Sequence, residues 1–246
     1  NVLPNAISIQ SNTINFKFKP QNNNVKIEAK PDLKYLKIKN NLRLSQKNCV
    51  SWKQALDYQK ANSIQEEMII FQGHLSKKCS NKEIDLSVID NGRYFYEVFK
   101  YLWVQNGGNF SGGYWVNNNE RLEGKLIASH LSRPLGVLIR DMNKYSLNLM
   151  ARNLMLTVIA EDLKKQVTED DVNHFVLDWL GNQGIANDNI FVENGAGLSR
   201  KTYINAETLL EIMDKIYEHP YMPEMLSSLS VLNEDGTLEK KMPFSK

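Results

Sequence analysis

The sequence predicts an α+β protein, with a β-rich first part and a mainly helical last part. Two observations carry this. Before residue 84, apolar and polar residues alternate one by one in short runs bounded by turn residues. Beyond residue 128, apolar residues recur at three- and four-residue spacing. A third observation is the mixed stretch between them, which divides the chain into a β-rich region 1–83, a small α/β region 84–128 and a helical region 129–246.

The strands come first. Ala6–Gln10 alternates, and so does Thr13–Lys19, each with one apolar face. Pro20-Gln-Asn-Asn-Asn24 is a turn cluster. Val25–Ala29 and Tyr35–Lys39 repeat the pattern, and Glu67–Gly73 reads as a more buried strand ended by its glycine. Strands at this spacing suggest an antiparallel sandwich or small barrel-like module. Asp90-Asn-Gly-Arg93 then opens a helix whose Tyr94, Val98, Tyr101 and Leu102 keep helical spacing up to Gly107-Gly108, a favourable C-terminal stop. Two short β segments, Gly113–Val116 and Lys125–Ser129, flank the polar turn Asn117–Arg121.

The helices follow. Ser132-Arg-Pro-Leu135 sets a capping serine before a first-turn proline. Leu135, Leu138, Ile139 and Met142 make the stripe of this helix. The next carries Leu147, Ala151, Leu154, Met155, Val158 and Ile159. A third runs from Glu169 to Leu180 and stops at Gly181; a fourth runs from Ala206 to Tyr217 and is stopped by Pro220. All of these stripes read as core packing.

Composition narrows the function classes. The 246 residues are 42% hydrophobic and 24% charged, with a net charge of +2. Such a chain has the balance of a globular protein and no basic excess that would argue for nucleic acid or an anionic membrane. No apolar run approaches the roughly 18 residues that suggest a membrane span. The opening Asn1-Val-Leu-Pro-Asn5 has neither the basic stretch nor the cleavage site of a leader, as expected of a chain beginning inside a longer protein. Cys49 and Cys79 are either buried thiols or a pair. With His74, His130, His174 and His219 scattered singly, they lack the paired spacing of a zinc site, and no metal or cofactor is expected.

Three short motifs stand in order along the helical region. Ser146-Leu147-Asn148 lies between two helices. Glu193-Asn-Gly-Ala-Gly-Leu-Ser-Arg200 follows about fifty residues later, and then Asp235-Gly-Thr-Leu238. This ordered set resembles the D-alanyl-D-alanine carboxypeptidase/endopeptidase family, the class C low-molecular-mass penicillin-binding proteins. The resemblance is strong from Ser129 to Lys240 and looser before it, where Asn41–Cys79 is similar to the accessory region inserted in that family. It implies β-rich accessory modules followed by the mainly helical part of a penicillin-binding transpeptidase domain.

Penicillin-interacting serine enzymes build one site from Ser-x-x-Lys, Ser-x-Asn and Lys-Thr-Gly. A serine hydroxyl is a weak nucleophile at neutral pH and needs a base beside it, here a lysine of lowered pKa one helical turn away. The resemblance assigns the middle element to Ser146 and Asn148: the serine relays a proton toward the leaving group, and the asparagine amide fixes the substrate backbone. The family has Asp or Asn between them; this chain has Leu147. Lys144 either adds positive potential at the cleft mouth or is a solvated lysine complementing the helix dipole. The second motif is similar to the family's Asp-Gly-Ser-Gly-Leu-Ser-Arg box, with Asn194 and Ala196 as departures. The match implies that Arg200 binds the side-chain carboxylate of the peptidoglycan stem peptide through its forked guanidinium. A structural ion pair inside the loop is the alternative for Arg200.

No serine of the chain is followed three residues later by lysine, and no Lys-Thr-Gly occurs. The expectation is therefore an internal segment of a longer enzyme, with the nucleophile before Asn1 and the Lys-Thr-Gly strand beyond Lys246. An incomplete sheet in the catalytic part follows from that. The resemblance further implies an exported, periplasmic protein acting on peptidoglycan stem peptides and blocked by β-lactams. Export favours a Cys49–Cys79 disulfide. The competing function is a non-catalytic peptidoglycan-binding or scaffolding module. Neither reading fixes the oligomeric state.

Overall fold

In the computed structural model, residues 4–62, 66–116, 125–185 and 188–239 are described. The chain divides into two compact units, residues 1–121 and 122–246.

The first unit is built on two three-stranded sheets. β1 (Ile14–Gln21) lies between β2 (Asn24–Lys30) and β6 (Lys82–Leu86), antiparallel to both. β5 (Glu67–Ser76) lies between β3 (Leu36–Ser45) and β4 (Leu56–Asn62). The alternation of β1 dictates the packing: Ile14, Phe16 and Phe18 are buried, while Lys17 and Lys19 lie on the opposite face. Phe16 and Phe18 meet Phe71 of β5 edge-on, at ring separations of 5.0 and 5.1 Å. These contacts join the two sheets through one core that also holds Val25, Ile69, Leu75 and Tyr94. Aromatic pairs of this geometry add to the area burial of each ring.

The expected antiparallel module is corrected at one place. β3 and β5 are parallel, with Ile38 opposite Ile69. The segment between them, including β4, crosses over instead of turning tightly, as parallel pairing requires. β4 and β6 escaped the sequence pattern because Asp57, Gln59 and Lys60, and Lys82, Glu83 and Asp85, leave each run only a short apolar face. Ala6–Gln10 forms no strand. Gln10, Ser11 and Asn12 take positive φ values of 47°, 53° and 52°, which breaks the extended run. Buried Asn12 donates from Nδ2 to the Ile89 carbonyl (2.9 Å) and ties this turn to the approach of the first helix. Nor does Gly73 end its strand. It sits inside β5 at φ +106°, where any Cβ would come within 2.2 Å of the Ala55 carbonyl oxygen. Glycine is required there because the chain entering β4, the antiparallel neighbour of β5, comes too close for a side chain.

α1 (Asn91–Gln105) begins as expected. Asp90 accepts from the Arg93 backbone N–H at 3.0 Å, a side-chain cap on the first turn. Tyr94 and Val98 are buried, and the Tyr94 hydroxyl donates to the Thr13 carbonyl at 2.8 Å. Tyr101 and Leu102 are exposed, so only the first half of the stripe is core. Arg93 lies 3.9 Å from the Tyr35 ring and pairs with Glu97 at 2.7 Å. Cys49 and Cys79 form a disulfide. The expected strands Gly113–Val116 and Lys125–Ser129 are not formed, and the turn expected between them falls mostly outside the described residues.

The second unit is helical: α2 (Leu135–Tyr145), α3 (Asn148–Leu163), α4 (Asp170–Asn182), α5 (Ala206–Glu218) and α6 (Met222–Ser228). Its only extended pairing among the described residues is an isolated bridge between Phe191 and Tyr203. Pro134 itself, not Ser132, occupies the cap position of α2, and the Ser132 hydroxyl donates instead to the Arg133 carbonyl. Asn205 caps α5 by accepting from the Thr208 N–H at 2.7 Å. α6 was not expected, the chain being read as stopped at Pro220; Pro223 sits in its first turn, where the missing N–H costs nothing. The core here is small, centred on Leu180, Ile185 and Ile190. Reading every stripe as core is corrected on α5, where Leu209, Leu210 and Met213 are exposed. No described helix is long and apolar enough to cross a membrane.

Candidate active site

The junction of α2 and α3 positions the first two candidate residues. α2 ends when Ser146 turns left-handed (φ 54°, ψ 51°). Leu147 bridges, and Asn148 is the first residue of α3. The Asn148 N–H donates back to the Ser146 carbonyl at 3.0 Å, and the Ala151 N–H to that of Leu147 at 3.1 Å. Ser-x-Asn is thus a tight elbow that sets two polar side chains at one bend. Ser146 is exposed and Asn148 half-buried. Among the described residues, neither side chain is engaged in a hydrogen bond. Leu147 is the N-cap of α3 and gives no side-chain hydrogen bond. An Asp or Asn in that place would cap the helix, at a gain of about 1 kcal/mol. With leucine the first N–H groups of α3 lack that partner.

The second motif is seated on the same helix. Gly195 and Gly197 both take positive φ, at 67° and 71°. A Cβ on Gly195 would lie 3.1–3.3 Å from three side-chain atoms of Met155, so the loop rests on α3. That contact is two helical turns, about 10 Å, along α3 from Asn148. The rest of the motif holds itself together. Ser199 Oγ accepts from the Lys201 and Thr202 N–H groups at 2.9 and 3.0 Å. Asn194 Oδ1 accepts from the Ala196 N–H at 3.1 Å. A hydrogen bond from Ser199, and then one from Lys201, hold the Glu193 carboxyl below its usual range. Lys201 makes the loop ion pair with Glu193, at 3.2 Å. Arg200 is exposed and pairs with no carboxylate among the described residues, so the alternative of a structural ion pair at this motif is filled by its neighbour. Arg200 makes no hydrogen bond with Ser146 or Asn148 among the described residues.

The third motif is tied to the helix end that precedes the elbow. Lys144, two residues before Ser146, is only 6% exposed. Its Nζ donates to the Asp235 carboxylate and to the Leu229 carbonyl at 3.0 Å. Neither a solvated lysine nor a free charge at a cleft mouth describes it. Hydrogen bonding from Lys144, then from the Val231 N–H, lowers the Asp235 pKa. The turn of Asp235-Gly-Thr is therefore bound to the Ser-x-Asn junction. Sequence reasoning took the two motifs separately; the signal available was a helix-end lysine beside the first and an unassigned aspartate in the second.

The profile of the D-Ala-D-Ala carboxypeptidase 3 (S13) family matches residues 2–246. The chain belongs to that family. It is 26% identical over 167 residues to the D-alanyl-D-alanine carboxypeptidase DacB of Haemophilus influenzae, an alignment covering 68% of this chain and 35% of that protein. Two crystal structures of penicillin binding protein 4 (dacB) from Haemophilus influenzae share its fold. One, complexed with a β-lactam, superposes with a TM-score of 0.77 at 20% identity over 96% of this chain and 54% of that one. The other gives a TM-score of 0.80 at 20% identity, with 96% and 51% covered. The chain thus spans about half the length of these solved relatives. The α+β class, with penicillin-binding proteins as structural neighbours, agrees with the sequence expectation.

Proposed function

We propose that the full-length protein is a serine D-alanyl-D-alanine carboxypeptidase and endopeptidase of the periplasm or cell surface, acting on peptidoglycan stem peptides. The observation that carries this reading is the Ser146–Asn148 elbow, whose two polar side chains make no hydrogen bond among the described residues, in a chain matched to the S13 family over 2–246. A relative named as a D-alanyl-D-alanine carboxypeptidase and a neighbour complexed with a β-lactam support the substrate class. The disulfide supports export. On this reading 1–83 and 84–128 are accessory modules and 129–246 is part of the peptidase domain.

The reaction proceeds through an acyl-enzyme. A serine outside this chain gives its hydroxyl proton to its neighbouring lysine and attacks the carbonyl of the penultimate D-alanine, the peptide C–N bond breaks, and the terminal D-alanine leaves as its amine takes up that proton. Ser146 passes that proton to the leaving nitrogen. The Asn148 amide holds the substrate backbone, and Arg200 takes a stem-peptide carboxylate in a two-pronged grip. Water then releases the acyl group. A β-lactam enters the same first step and leaves slowly.

The test is labelling with a fluorescent penicillin. The full-length protein should label covalently, and the 246-residue chain should not. Ser146→Ala and Asn148→Ala in the full-length protein should slow labelling by about 10²–10³-fold, the loss seen when a proton-relay or polarising group is removed. Labelling of the 246-residue chain would refute an external nucleophile. A full-length protein that binds peptidoglycan but never labels would make it a non-catalytic module.

A further inference from the structure

We infer that Lys144 and Asp235 form a latch that sets the Ser146–Asn148 elbow, which makes Lys144 a positioning residue of the site; this rests on the function proposed above. The last turn of α2 is joined to the segment 228–236 by four hydrogen bonds and one close backbone packing. Asn143 Nδ2 donates to Ser228 Oγ at 2.9 Å, and Ser228 is fully buried. Lys144 Nζ donates to the Leu229 carbonyl and to the Asp235 carboxylate. The Lys144 carbonyl accepts from Ser230 Oγ at 3.1 Å. Gly236 packs against that same carbonyl: its φ is +61°, and a Cβ would lie 2.4 Å from the Lys144 oxygen. Side chain and main chain of one residue are therefore both held, two positions before the left-handed turn at Ser146.

A buried lysine is a costly way to gain stability, because its ammonium loses hydration and an apolar residue of the same volume would pack as well. Its directional donors do something else: they fix where the end of α2 lies. A helix end free to fray would let the left-handed turn relax, and small misplacements of catalytic groups are expensive in rate. The Asp-Gly-Thr motif then has a physical reason to accompany Ser-x-Asn. Its aspartate supplies the counter-charge, and its glycine permits the close approach.

Four variants of the full-length protein test the latch: Lys144→Met, Lys144→Arg, Asp235→Asn and Gly236→Ala. Two readouts are needed, each normalised to folded protein: the acylation rate with a fluorescent penicillin, resolved into binding and acylation steps, and hydrogen exchange at residues 145–148. Lys144→Met and Gly236→Ala should slow the acylation step by roughly 10–100-fold, with little change in binding. Both should speed exchange at 145–148 by at least about tenfold, a local opening of the elbow. Asp235→Asn should give a smaller loss, because its amide oxygen still accepts, and Lys144→Arg should recover part of the rate. Lowered melting temperature with wild-type acylation and wild-type exchange at 145–148 would overturn the latch. If Lys144→Met does not fold, Asp235→Asn and Gly236→Ala carry the same comparison. If the wild-type protein is not acylated at all, the proposed function falls, and the exchange data alone decide the latch.

Discussion

The two units hold themselves together by different means. In residues 1–121 the aromatic triad Phe16, Phe18 and Phe71 is fully buried, and β1, β5 and α1 all feed one core. A covalent link between Cys49 and Cys79 closes the loop that contains β4. In residues 122–246 the core is small, and α5 keeps Leu210 63% and Tyr217 73% exposed. Polar ties do the joining there. Arg152 of α3 pairs with Glu169, which precedes α4, at 2.5 Å. Asn173 of α4 accepts from the Val192 N–H at 2.9 Å. Lys144 pins the segment around Asp235. Hydrophobic burial is non-directional and scales with area, whereas hydrogen bonds fix positions. The β unit is built for cohesion, and the helical unit is built around the placement of a few side chains.

The sharpest way to break that contrast is paired truncation. Phe71→Ala should destabilise the first unit by about 3–5 kcal/mol, the sum of lost transfer energy and the cavity left. Leu210→Ala should change the second unit by no more than about 0.5 kcal/mol. Urea unfolding followed by peptide-resolved hydrogen exchange reads each unit separately. Comparable losses for the two would mean that the exposed α5 face is buried in solution, and the contrast would fail.

Next in size is the disulfide. Its two cysteines are 30 residues apart in sequence. The chain-entropy argument gives about 3–4 kcal/mol for such a loop. Cys49→Ser with Cys79→Ser should lower the stability of the first unit by that amount and leave exchange in α2–α6 unchanged. Equal losses in both units would show that they unfold as one.

How much of this was legible in the sequence differs between the units for the same physical reason. Alternation in β1 and β2 was read correctly because one face of each strand is buried, and burial writes a period into the residues. α1 was legible from Asp90 and Gly107, since caps are local chemistry. Gly73 misled because a glycine demanded by the close approach of a neighbouring strand's first residues looks the same in sequence as one that ends a strand. The parallel β3–β5 pair was invisible because pairing direction depends on the connection and not on the pattern. At the candidate site, Ser146, Asn148 and Arg200 came from motif resemblance, and their roles remain proposals. The Lys144–Asp235 tie is 91 residues long in sequence, and no local pattern encodes a partner at that distance.

The smallest effect separates two lowered carboxylates, one from each unit. Glu28 sits on the sheet surface between Lys19 at 2.5 Å and Lys26 at 3.0 Å, and their hydrogen bonds bring its pKa down to about 2. Asp235 is also lowered, by Lys144 first and then by the Val231 N–H, which reaches Oδ1 at 2.9 Å. Both pKa values fall on folding. Each pairing therefore contributes fully above the unfolded-chain value, about 4 for these carboxylates. Each contribution is lost as pH falls through the folded value, for Glu28 down to about 2. Salt should separate the two. Surface ion pairs are screened once the Debye length shrinks toward about 3 Å near 1 M salt, whereas a backbone N–H donor is not a mobile charge that salt can screen. Carbon-detected NMR titrations at low and at high salt should show the Glu28 midpoint climbing toward its ordinary value while that of Asp235 moves less. Equal salt shifts would mean that Asp235 is held by charge alone, as on the β surface. The backbone donor, which makes the helical unit a device for placement, would then contribute nothing measurable at this position.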